Sequence, residues 1–212
     1  METTFEPWTR YAPLTEDRLS AIATILRNVR QETVDKHEPE SGDSEWSLGC
    51  RVYSRSCFAI KQASARYDWL KILPEKEGLR FSFAIGEIPF RFYKGEADDP
   101  PGKYIETTFA ELNQQQYLLA INGVSLVNVV LRLAVETAAR LVSRAILVEM
   151  DAGGAIINTY IIPFDAQASN VIPLQAPPIS LPPVGLPTTE EAESQENEEE
   201  ENEEPNSDVS SQ

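Results

Sequence analysis

Leu79-Arg80-Phe81-Ser82-Phe83-Ala84-Ile85-Gly86-Glu87-Ile88-Pro89-Phe90-Arg91-Phe92-Tyr93-Lys94 decides the fold class of this chain. Leu79, Phe81, Phe83 and Ile85 alternate with Arg80, Ser82 and Ala84, the period of two that a half-buried strand requires. Gly86-Glu87 supplies the turn of a β-hairpin. In the return strand Phe90, Phe92 and Lys94 alternate with Arg91 and Tyr93. Pro89 cannot donate a ladder hydrogen bond, so the return strand is expected at a sheet edge or to begin with a bulge.

Upstream the period is helical. Thr15 precedes Glu16 and Asp17, an N-cap followed by acids that complement the helix dipole, and Leu19, Ile22, Leu26, Val29 and Thr33 recur at spacings of three and four. A helix over 15–35 follows, ended by the polar run His37 to Asp43. A second helix is expected over 46–71, with Leu48, Val52, Ala59, Ala63, Tyr67 and Leu70 on its inner face and Pro74 and Gly78 closing it. Downstream, Gly95 to Gly102 reads as a loop, and Thr108 with Glu111 forms a capping box for a short helix over 108–120. Three β-rich stretches, 124–135, 141–150 and 155–163, read as a meander with its clearest turn at Asp151-Ala152-Gly153-Gly154, although part of 125–140 is equally compatible with helix. The expected fold is therefore α+β: two N-terminal helices, a β-hairpin, a short helix and a C-terminal β-meander forming one antiparallel sheet.

Charge divides the chain. All 18 Lys and Arg lie before position 166, and the segment beyond Asp165 holds ten Glu and Asp208. The net charge of −16 thus leaves only −5 on residues 1–165. Those residues are expected to form one globular domain, long enough to bury a core without staples. Pro173, Pro177, Pro178, Pro182, Pro183 and Pro187 mark 166–189 as an extended linker, and the Glu run makes 190–212 a disordered acidic tail.

Several function classes are disfavoured. Cys50 and Cys57 sit seven apart in a predicted helix, about 10 Å between Cα atoms, too far for a disulfide. With His37 they make three potential zinc ligands, one short of a structural site, and His37 falls in an exposed polar loop with no triad around it. No phosphate-cradling glycine motif occurs, so no cofactor is expected. Acids and Pro7 occupy the start where a secretory signal needs a basic and then an apolar run, and no apolar stretch approaches the length of a membrane span, so a cytoplasmic location is expected.

Two candidate sites remain. On the second helix Arg51, Arg55, Gln62 and Arg66 recur at 4, 7 and 4 as a stripe away from the apolar side, suited to phosphate or carboxylate groups. Glu87, Glu96, Asp98 and Asp99, with Glu106 nearby, form the best candidate metal cluster. The leading expectation is a non-enzymatic binding or adaptor protein of a cytosolic complex, meeting a protein partner through the basic helical face and the acidic tail. The alternative is a metal-dependent nuclease-like or other phosphoryl-transfer enzyme using the carboxylates near the hairpin, with nucleic acid as partner.

Overall fold

Six strands form one sheet in chain order: β1 (Leu70–Ile72), β2 (Phe83–Ile85), β3 (Ile88–Lys94), β4 (Val129–Ala138), β5 (Leu141–Asp151) and β6 (Ile156–Ile162). The structure, a computed structural model, describes residues 5–74, 80–122, 126 and 128–164. The proline-rich linker 166–189 and the acidic tail 190–212 lie outside the described residues. Helices α2 (Glu16–Asp35) and α3 (Glu45–Ser64) cover one face of the sheet, and short α1 (Pro7–Arg10) leads into them. The other face is covered by the connection carrying α4 (Gly102–Ile105) and α5 (Phe109–Asn122).

Strand alternation builds the larger core. Phe83, Ile85, Phe90, Phe92, Leu131, Leu133 and Leu147 meet Leu19, Ile22, Leu26 and Ile60 from the two long helices. Fully burying side chains of this size contributes about 1.5–3 kcal/mol each. On the opposite face Tyr93, Val130, Ala134, Ile146, Val148 and Met150 pack with Tyr104 and Ile105. The expected capping box is present: Glu111 N–H donates to Thr108 Oγ1 at 3.3 Å and Thr108 N–H to Glu111 Oε2 at 2.8 Å.

Three expectations need correction. The second helix stops at Ser64, where the N–H groups of Arg66 and Tyr67 both turn back onto the Ala63 carbonyl, and Leu70 enters β1. Leu70 suits either element, because seven residues after Ala63 is a helical spacing and Leu70-Lys71-Ile72 also alternates. The sheet is mixed: β3 and β4 run parallel, pairing Arg91 with Arg132 through Lys94 with Val135, and every other junction is antiparallel. A parallel step requires a crossover, which the helical connection between residues 94 and 129 provides. Finally, β3 lies inside the sheet and begins without a bulge. Pro89 is tolerated because it sits opposite Ala84 between the paired Ile88 and Phe90, while pairing to β4 begins only at Arg91. Gly86 closes this hairpin at φ +61, with Pro13 Cβ 2.5 Å from where a Cβ would stand.

The β4–β5 hairpin carries a local conflict. Ala139 and Arg140 join Ala138 to Leu141 with φ +48 and +72, the left-handed region a two-residue hairpin favours but L side chains resist. The turn is held by Arg30 Nε donating to the Arg140 carbonyl and by an Arg140–Glu45 ion pair at 2.6 Å. Converting Ala139-Arg140 to Asn-Gly is expected to raise stability by about 0.5–1 kcal/mol, relief of strain outweighing the exposed ion pair. A urea midpoint that fails to rise would show that the side chains of Arg140 and Ala139 contribute more than their backbone costs.

Candidate functional site

The cleft is built where β3 outruns its neighbour. β2 pairs only with Ile88–Phe90, so Arg91–Lys94 has β4 on one side and, among the described residues, no paired strand in the space on the other. α3 presents Gly49, Cys50, Val52, Tyr53 and Ser56 across that space, and a cleft of about 720 Å³ results. This is within the range of ligand sites, about 300–1,000 Å³. Its floor and walls are apolar and aromatic, chiefly Leu26, Val52, Tyr53, Phe92 and Val135, with Tyr93 and Tyr104 on the other flank.

Its charge is one-sided. Arg30, Arg80, Arg91, Lys94 and Lys103 line the cleft, and no Asp or Glu among the described residues does. Arg80 is shared with Glu106 at 3.6 Å, both exposed. Arg30 and Arg91 are 3% and 4% exposed, yet among the described residues neither has a carboxylate within ion-pair distance. Arg30 spends its Nε on the Arg140 carbonyl, and burial lowers its pKa. Arg91 Nη1 donates to the carbonyls of Lys103 (3.1 Å) and Glu106 (3.4 Å), with its guanidinium 4.6 Å from the Tyr104 ring centre. Directly beside it in the sheet, Arg132 takes the carboxylate of Glu111, Nη1 to Oε1 at 2.5 Å. Burial pushes Arg132 down to about 10, Glu111 opposing and Arg91 adding to that shift. Two buried guanidinium groups thus stand side by side with one carboxylate, which Arg132 takes, and the uncompensated one, Arg91, lines the cleft. Buried cations normally have partners.

Neither Arg30 nor Lys103 stood out in the sequence, Arg80 and Arg91 read as alternate positions facing away from the apolar phase, and Lys94 read in phase with Phe90 and Phe92. One signal was available: Arg91 falls within the run Pro89-Phe90-Arg91-Phe92-Tyr93, all of it buried.

Of the predicted stripe, Arg51, Arg55 and Gln62 lie on α3 and Arg66 falls two residues beyond its end. Arg51 Nη2 donates to Asp43 Oδ2 at 2.5 Å and to His37 Nδ1 at 3.1 Å, while its buried Nε has no hydrogen-bond partner among the described residues. Arg55 reaches Thr33 Oγ1 at 3.4 Å. Gln62 and Arg66 are exposed near the helix end. His37, expected in solvent, has a side chain only 2% exposed because it lies beneath the Arg51–Asp43 pair. The Glu38 N–H and then Arg51 hold Asp43 below the ordinary carboxyl range. Cys50 is an exposed free thiol on the cleft wall, and Cys57 is half-buried with its pKa pushed to about 11 by burial.

The candidate metal carboxylates are dispersed. Glu87 is engaged by Lys71 and by Gln114 Nε2 at 2.9 Å, whereas Glu96, Asp98 and Asp99 stand exposed on the loop after β3. Among the described residues no three His, Cys, Asp or Glu side chains converge as a metal-binding group, and no helix is long and apolar enough to cross a membrane. Comparison of the chain with protein-family models, with curated proteins and with solved structures finds no match.

Proposed function

We propose that this is a non-enzymatic binding protein, an adaptor whose recognition site for an anionic partner is the cationic cleft between α3 and β3. The supporting observation is Arg91, a buried guanidinium at the cleft with carbonyl partners but no carboxylate among the described residues. An anion entering there would meet a cation already desolvated and oriented, where an ion pair is screened less than at the surface. The aromatic walls add apolar contact, and Lys94 and Lys103 steer the approach.

A labelled polyglutamate peptide tests the reading. Lys94→Glu with Lys103→Glu, both exposed positions, is expected to weaken its binding tenfold or more at low salt. Affinity should fall steeply toward half-molar salt. Bound peptide should also slow alkylation of Cys50, which lies on the cleft wall. Binding that survives the lysine reversals but is lost in Arg55→Glu with Arg66→Glu would move the site to the helical stripe. Tighter binding of an oligonucleotide than of polyglutamate would transfer the proposal to a nucleic-acid partner.

A further inference from the structure

The open edge of β3 narrows the kind of partner, and the inference rests on the cleft being the binding site. We propose that the cleft takes an extended acidic peptide as an added strand alongside Arg91–Lys94.

Main-chain geometry carries this beyond charge. Gly95 N–H donates to the Val135 carbonyl at 3.2 Å, continuing the phase in which Arg91 and Tyr93 face β4. In the alternating backbone of a strand, the N–H and C=O of Phe92 and Lys94 then point the other way, into the cleft. Phe81, the described residue that faces Phe92 in the register of the β2–β3 ladder, does not take them. Phe81 N–H donates instead to the Tyr53 hydroxyl at 3.2 Å, while the Ser82 carbonyl, on the opposite side of the segment, accepts Leu73 N–H at 3.0 Å and only continues the β1 ladder. Among the described residues no backbone partner remains for Phe92 or Lys94 on that side. An unpaired strand edge beside an apolar wall is the template that strand addition uses, main-chain bonds giving affinity and alternate side chains specificity.

The two faces of β3 also dictate a pattern. An added strand would turn one set of alternate side chains toward Phe92 and Tyr53, and the other toward Arg91, Tyr104 and Lys103. Apolar residues suit the first set and acids the second. The preferred ligand is therefore a peptide alternating acidic and apolar residues, and a basic one should be rejected.

The experiment uses the full chain and a labelled peptide alternating Glu and Leu. Two further versions carry N-methyl groups on one or the other set of alternate amides. Strand addition predicts that one methylated version binds like the parent and the other is at least tenfold weaker, because only one set of amides faces β3. Hydrogen exchange at Phe92 and Lys94 should slow at least tenfold in the parent complex. If both methylated versions bind like the parent, with Phe92 and Lys94 unprotected, strand addition is overturned. If in that case Lys94→Glu with Lys103→Glu still abolishes binding, the anion-binding cleft stands. Parent binding indifferent to those lysine reversals would overturn both.

Discussion

Glu111→Ala is expected to lower the stability of the protein by about 3–5 kcal/mol, the range for stranding one partner of a buried ion pair. Both side chains, Arg132 and Glu111, are 1% exposed, so the guanidinium left behind cannot turn to solvent without opening the sheet face. The carbonyls of Tyr104, Glu106 and Leu131 would remain around it, supplying dipoles in place of a charge. The same carboxylate caps α5 through Thr108 N–H, which adds about 1 kcal/mol to the loss. Glu111→Gln should recover the cap and little of the rest. The double variant Glu111→Leu with Arg132→Met should come back toward wild type, because an apolar pair removes both desolvation penalties. Urea unfolding reads all three, and a loss below about 1 kcal/mol for Glu111→Ala would show that water reaches Arg132.

Glu149→Ala is the second large effect, of about 2–3 kcal/mol. This carboxylate is wholly buried and gathers Arg10 Nη1 at 2.5 Å, the Tyr11 hydroxyl at 2.8 Å and Asn158 Nδ2 at 2.9 Å. Asn158 stands opposite it as the last pair of the regular β5–β6 register, which shifts only between Glu149 and Met150. Arg10 is half exposed and would simply rehydrate, so the loss comes from the buried Tyr11 hydroxyl and from Asn158. Tyr11→Phe with Glu149→Ala should therefore lose less than the sum of the single changes. Strict additivity in a double-mutant cycle would show that the two groups do not act together.

How far the sequence could be read depended on how local each signal was. The 83–90 hairpin and the Thr108–Glu111 box are settled within a few residues and were legible. The stretches predicted at 141–150 and 155–163 appear as β5 and β6, while the expected 124–135 strand is displaced to 129–138. Continuous burial leaves no alternation in Val129–Val135 to fix a boundary. The parallel join could not be read, because nothing in residues 95–128 states which side of the sheet the chain returns to. The cleft was illegible for a related reason. Arg30, Arg91 and Lys103 come from three distant segments, and each alone reads as an ordinary polar position. Most of the stripe was visible because Arg51, Arg55 and Gln62 lie on one helix, but the end of α3 before Arg66 and the partners of Arg51 and Arg55 on neighbouring segments were not.

The crossover between β3 and β4 also imposes an order of events on folding. β4 and β5 are joined by two residues, whereas β3 meets β4 only after the chain has closed a loop through α4 and α5. Loop-closure entropy makes that second step costlier by about 2–3 kcal/mol before any contact repays it. The β4–β6 ladder should therefore assemble first and act as the surface onto which the three strands β1–β3 dock. Pulse-labelled exchange during refolding would show this as protection of the Leu147 amide before that of Tyr93, and simultaneous protection would contradict it. Since Tyr93 and its neighbours form the cleft, the cleft would then be the last part of the protein to exist after synthesis and the first to be lost under stress.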